Sequence, residues 1–141
     1  MGWATPAAVA AAIATDKKVI GVTGDGGFAM TMTSVETAIE HSVAPTVVVL
    51  NDTSLGMVRQ MQHEDGDIAG VEFHDTDFVT VAEGLGAEAT RVVTPDALAD
   101  ALETAADATL PFVIDVRIDR DEEMADSLQS SFYAEVGGLH E

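Results

Sequence analysis

Two periods of hydrophobicity alternate along the chain. Four short apolar runs are rich in β-branched residues and bounded by glycine, proline or charge: residues 19–23, 46–50, 89–93 and 112–116. Each predicts a strand. Thr46-Val47-Val48-Val49-Leu50 carries no charge on either face, as a central strand of a parallel sheet would. The segments between them have helical spacing. Residues 7–14 are alanine-rich and follow Pro6, which suits a first helical turn. Thr33-Ser34-Val35-Glu36 reads as a capping box, so a helix is expected over 34–41, stopped by Pro45. Further helices are expected over 55–62, over 78–85 with Gly84 or Gly86 at the end, and from Pro95 with Leu98, Ala101, Leu102 and Ala105 on one face. Residues 63–75 are polar and glycine-containing and read as a loop, and residues 124–133 as a peripheral helix.

Strand–helix–strand repetition implies a three-layer α/β/α fold with a mainly parallel sheet. The chain, 141 residues long, reads as one domain over 1–141, with 119–141 as an acidic extension. It opens on a helix, whereas such folds open on a strand, so the first strand is expected to lie upstream.

Composition narrows the partners. Asp plus Glu number 25 against 6 Lys plus Arg, a formal charge of −19, which argues against nucleic acid and anionic membrane. No apolar run approaches the roughly 20 residues of a membrane span. Cysteine is absent, which removes disulfides and thiolate metal sites. The start of the chain lacks a basic signal-peptide pattern, so a cytoplasmic location is expected. So large an acidic excess also predicts adaptation to high salt, which screens self-repulsion.

The candidate chemistry lies where apolar strands end. Gly24-Asp25-Gly26-Gly27 follows the first strand, and Asn51-Asp52-Thr53-Ser54-Leu55-Gly56-Met57 follows the second. Ligands of open parallel sheets bind outside the carboxyl ends of the strands. Glycines allow close backbone approach to a phosphate, and the N–H groups of Gly26, Gly27 and Phe28 are expected to be free for an anion. Asp25, Asp52 and the Ser54 carbonyl could supply the protein's share of six oxygens around Mg2+. Asp115 reads as part of the last strand, and His41, His63, His74 and His140 show no ligand spacing.

Gly-Asp-Gly followed after about 25 residues by Asn-Asp resembles the fingerprint of thiamine diphosphate-dependent enzymes. The opening Met1-Gly2-Trp3-Ala4-Thr5-Pro6-Ala7-Ala8 is similar to that family's Met-Gly-aromatic-x-x-Pro-Ala-Ala segment. Gly56-Met57-Val58-Arg59-Gln60-Met61-Gln62 resembles the acetolactate synthase version of the segment after the metal loop. The resemblance runs over about residues 1–120 and implies the diphosphate-binding domain of such an enzyme. It implies that Asp25, Asp52 and Ser54 hold Mg2+, that Gly26 and Gly27 hold the diphosphate, and that Met1, Leu55, Gly56 and Met57 lie along the cofactor. It further implies a 2-keto acid substrate, an oligomer, and an activating glutamate from a pyrimidine-binding domain or subunit, to which nothing in this chain corresponds. Two positions depart from the pattern: Asp52 stands where asparagine is commonest, and Met61 where acetolactate synthases usually have tryptophan. The alternatives are a 2-keto acid decarboxylase or lyase of the same superfamily, and a non-catalytic Mg-binding flavodoxin-like module. A receiver module of the latter kind needs a lysine after its last strand, and none follows Lys18.

Overall fold

The structure, a computed structural model, describes residues 1–66 and 68–122. The elements run α1 Ala4–Thr15, β1 Ile20–Gly24, α2 Asp25–Thr31, α3 Ser34–Glu40, β2 Thr46–Asn51, α4 Gly56–Asp65, α5 Phe78–Gly84, β3 Glu88–Val92, α6 Pro95–Asp107 and β4 Phe112–Arg117. The four strands form one all-parallel sheet in the order β1-β2-β4-β3. The expected α/β layering is therefore present. The helix expected over 124–133 lies outside the described residues.

Side-chain alternation on the strands divides the core in two. Val47, Val49 and Val113 point to one face and pack with Phe28, Val35, Phe78 and Ala82 of α2, α3 and α5. Val48, Phe112, Ile114 and Val116 point to the other and meet Ala101 and Ala105 of α6. A run that is apolar at consecutive positions must serve both faces, which is why the valines of β2 are all buried. Phe28 and Phe78 meet edge to face, with ring centroids 5.3 Å apart. At β1 the chain meets α1 so closely that a Cβ on Gly21 would stand 2.9 Å from Ala8 Cβ. Lys18 crosses to the far end of α6, where its Nζ donates to the carbonyls of Ala105 and Ala108 and complements the helix C-terminus.

Two expectations need correction, and one helix was not among those expected: residues 25–31 form α2, where burial of Phe28 against β2 overrides the weak helix propensity of glycine. The capping box does not form: Thr33 is itself in a helical conformation and makes no side-chain cap, because α2 passes into α3 without an extended residue between them. Residues 63–75 are only partly loop. Helix α4 continues to Asp65 and ends at Gly66 in a left-handed conformation. Beyond it, Leu55 N–H donates to Val71 O and Phe73 N–H to Thr53 O, both at 2.8 Å, around a bridge of Ser54 to Glu72. This segment is thus paired with the turn after β2.

Candidate functional site

Parallel strands β1 and β2 end side by side, with Gly24 opposite Leu50. The start of α2 after β1 delivers Asp25 and the turn after β2 delivers Asp52, and the two meet at a single donor. Ser54 N–H donates to Asp25 Oδ2 at 3.2 Å and to Asp52 Oδ1 at 3.0 Å. Asp25 Oδ1 accepts from Gly26 N–H at 2.7 Å, and Asp52 Oδ2 from Ser54 Oγ at 2.7 Å. Asp25, Asp52 and Ser54 are all buried. Burial, reinforced by the Asp52 charge, pushes the Asp25 carboxyl above the usual carboxylate range, against the opposing pull of the Gly26 and Ser54 N–H groups.

Two acids held together away from water call for a cation. Among the described residues no group of three or more His, Cys, Asp or Glu side chains could hold a metal ion. A cation here would have to complete its shell with backbone oxygen, water and ligand, the habit of Mg2+ bound to phosphates.

A groove of about 360 Å³ runs along this site. Met1, Asp25, Gly26, Gly27, Ser54, Leu55, Gly56 and Met57 all line it. Asp52 does not; it lies behind Gly56, where an added Cβ would stand 2.8 Å from Asp52 Oδ2. A Cβ on Gly26 would come within 2.9 Å of Leu55, 3.0 Å of Phe73 and 3.1 Å of Met1, and one on Gly27 within 2.5 Å of Thr23 Oγ1. The groove therefore has a glycine floor at 26 and 27, where an added side chain would have to displace its neighbours, with half-exposed Met57 and exposed Met1 at its margin.

One detail departs from expectation. Gly26 N–H is turned onto Asp25 Oδ1 rather than left free, and Phe28 stands at the fourth helical position, where the internal ladder of a helix begins. Of the three N–H groups expected for an anion, Gly27 is the one left with neither engagement.

A second cavity, also about 360 Å³, lies beyond Asp25 and Gly26 and is lined by Asn51, Phe73, His74 and Phe78 among others. Asn51 and the partners of its side chain stand outside the set of site residues expected from the sequence. Asn51 Nδ2 donates to Asp115 Oδ1 at 2.8 Å, and Arg91 Nε donates to Asp115 Oδ2 at 2.7 Å. Asp115 holds the Arg91 guanidinium above its ordinary pKa through this bond. The signal in the sequence is a lone acid inside the apolar strand Phe112-Val113-Ile114-Asp115-Val116.

Comparison with known proteins gives this geometry a context. Residues 1–116 match the family described as thiamine pyrophosphate enzyme, C-terminal TPP binding domain. Acetolactate synthase of Bacillus subtilis is 36% identical over 121 residues, covering 84% of this chain and 21% of that protein. The acetolactate synthase large subunit of Lactococcus lactis is 34% identical over 145 residues, covering 99% of this chain and 25% of that one. Among solved structures, the thiamine diphosphate-dependent 4-hydroxybenzoylformate decarboxylase of Rhodococcus jostii RHA1 superimposes with a TM-score of 0.81 at 32% identity, covering 87% of this chain and 24% of the other. The chain thus spans a fifth to a quarter of the length of these relatives. Enzymes of this family use thiamine diphosphate with Mg2+ bound to the diphosphate. A glycine-floored groove beside two buried carboxylates fits that cofactor's phosphate end, and the chain belongs to the thiamine pyrophosphate enzyme family, with its C-terminal cofactor-binding domain over residues 1–116.

Proposed function

We propose that this chain is the diphosphate- and Mg2+-binding portion of an acetolactate synthase-like enzyme that decarboxylates a 2-keto acid and transfers the resulting two-carbon unit. Asp25 and Asp52 would hold the cation through their carboxylates and Ser54 through its carbonyl. Gly27 would offer its N–H to the diphosphate, and Gly26 would join it once its N–H leaves Asp25 Oδ1. Met1, Leu55, Gly56 and Met57 would line the rest of the cofactor. Bound thiamine diphosphate would supply the electron sink for decarboxylation; the residues of this chain would bind and orient it. The activating glutamate would come from a pyrimidine-binding domain or subunit, and the chain alone would be inactive. The observation that carries the reading is the single Ser54 N–H shared by both aspartates at the edge of the glycine-floored groove.

Titration calorimetry tests it: thiamine diphosphate is expected to bind the chain only with Mg2+ present, and Asp25→Asn is expected to remove that binding. Metal-independent binding would refute the assigned roles. A second reaction, simple decarboxylation of a 2-keto acid, is favoured by the likeness to a decarboxylase at a TM-score of 0.81. Products formed from pyruvate with a pyrimidine-binding partner present would separate acetolactate from acetaldehyde.

The acidic excess supports a cytoplasmic setting rich in salt. The melting temperature is expected to rise from roughly 0.1 M to 2 M KCl, a range that takes the Debye length from about 10 Å to below 3 Å; a flat series would remove this part of the reading.

A further inference from the structure

Asp115 is fully buried on β4, and the cofactor roles above make no use of it. Both its oxygens are engaged, one by Arg91 Nε and the other by Asn51 Nδ2. A carboxylate accepts and never donates, whereas an asparagine side chain has one accepting and one donating end. Asn51 must therefore give its NH2 to Asp115, and its Oδ1 is left to face the other way. There it accepts from Thr53 N–H at 3.1 Å. Were the amide reversed, two N–H donors would confront each other at Thr53.

Thr53 is the residue that most needs holding. Its φ of +60° is left-handed, a region that β-branched residues rarely enter and that persists only where surroundings enforce it. Two backbone bonds do so: Thr53 N–H to Asn51 Oδ1, and Phe73 N–H to Thr53 O at 2.8 Å. The turn at Thr53 separates Asp52 from Ser54, so its conformation decides where both stand.

We propose that Asp115 is a positioning residue for the metal loop: paired with Arg91, it fixes the direction of the Asn51 amide, which sets the left-handed turn at Thr53 and thereby places Asp52 and the Ser54 carbonyl for the cation. The role deepens the cofactor-binding reading and rests on it. It links β3, β4 and β2 to the loop through three side chains, Arg91, Asp115 and Asn51.

The test uses the full chain with Mn2+ as the probe, its free concentration read by electron paramagnetic resonance in saturating thiamine diphosphate. Asp115→Asn cannot satisfy Arg91, Asn51 and Thr53 together, since one pair of donors must clash. It is expected to weaken Mn2+ binding about 10–100-fold, the range found for outer-shell partners of metal ligands. Exchanging the pair, Asn51→Asp with Asp115→Asn, restores a match everywhere: the carboxylate at 51 accepts from Thr53 N–H and from the amide at 115, whose oxygen accepts from Arg91. The exchanged pair is expected to recover most of the affinity. Asn51→Asp alone sets two carboxylates together and is expected to bind worse than the unsubstituted chain.

A second readout needs no metal. The Thr53 amide, followed by NMR hydrogen exchange, should be protected in the unsubstituted chain and in the exchanged pair, and fast in Asp115→Asn. Normal Mn2+ binding by Asp115→Asn overturns the proposal, as does an exchanged pair no better than the single variant, or tighter binding by Asn51→Asp alone, which would mark a charge effect. If Asp115→Asn fails to fold, the exchanged pair decides by itself through affinity and Thr53 protection. Absence of Mn2+ binding by the unsubstituted chain would instead overturn the cofactor reading, and this role with it.

Discussion

The junction of β1 with α2 and the turn after β2 each bring an aspartate to the same donor, but they are shaped by different means. The first is shaped by what is missing: Gly26 and Gly27 lie where a Cβ would meet neighbours at 2.9 Å or less, and the chain enters α2 at once. The second is shaped by polar side chains: Asn51, Asp52 and Ser54 all bond within the turn or beneath it, and Thr53 carries the positive φ. A loop made by absence should fail when atoms are added. A loop made by hydrogen-bond polarity should fail when a donor replaces an acceptor.

The aspartates give the sharpest contrast. Both oxygens of Asp25 accept from backbone N–H groups, Gly26 on one and Ser54 on the other. An asparagine there must point its NH2 at one of them. At Asp52 one partner is the Ser54 hydroxyl, which can accept as readily as it donates. Asp25→Asn is therefore expected to weaken Mg2+–thiamine diphosphate binding by more than about 100-fold, near 3 kcal/mol. Asp52→Asn should lose no more than about tenfold, near 1.4 kcal/mol. Calorimetry on both variants checks this, and equal losses would mean that charge alone, not hydrogen-bond polarity, governs the pair.

Next in size is the steric test. Gly27→Ala puts a Cβ at 2.5 Å from Thr23 Oγ1, a contact that overpacking data value at about 1–3 kcal/mol of lost stability. The Thr23 hydroxyl can move only by giving up its bond to Gly24 O. Removing that hydroxyl should reverse the sign: in a Thr23→Ala background, alanine at 27 gains helix propensity of up to about 1 kcal/mol over glycine. Denaturant melts of the four chains measure the coupling. Additive effects would show that the glycine answers to something other than Thr23.

Smaller still is the strain of the second turn. Thr53→Asn keeps a polar residue but accepts a left-handed φ with less penalty. A gain of about 1 kcal/mol is expected, or roughly 2–4 °C in melting temperature. A loss would mean that the Thr53 hydroxyl, which donates to Asp52 O at 2.6 Å, matters more than backbone strain.

These contrasts explain which parts of the molecule were legible in the chain. All four strands stand within a residue or so of expectation, because β-branched runs bounded by glycine, proline and charge have few other uses. Helix α2 was hidden because local propensity at Gly26 and Gly27 opposes a helix that only the burial of Phe28 secures. Asp25 and Asp52 were legible as a pair because each follows a strand. The Asn51–Asp115–Arg91 bonds were not: they join residues 64 and 24 positions apart, and only strand order brings those together. The segment after α4 misled for the same reason, since its pairing partner lies in the preceding turn and its polar composition suggests solvent.

The smallest effect separates the glycines of the β1–α2 junction from one another. Gly24 has φ −80° and ψ 165°, an ordinary extended conformation open to any residue. An added Cβ would find only Leu50 O, at 3.9 Å. The fold thus makes no demand for glycine at 24, and Gly24→Ala should change stability by less than about 0.5 kcal/mol. Gly24 nevertheless lines the same groove as Gly26 and Gly27. A methyl group there narrows the groove without disturbing the protein, so a few-fold loss of thiamine diphosphate affinity at unchanged melting temperature is expected. That outcome would assign Gly24 to the ligand and Gly27 to the packing of its own helix against β1. A drop in melting temperature like that of Gly27→Ala would instead show that the whole motif is glycine for a single reason, and the distinction between adding atoms to the fold and adding them to the ligand's space would fall.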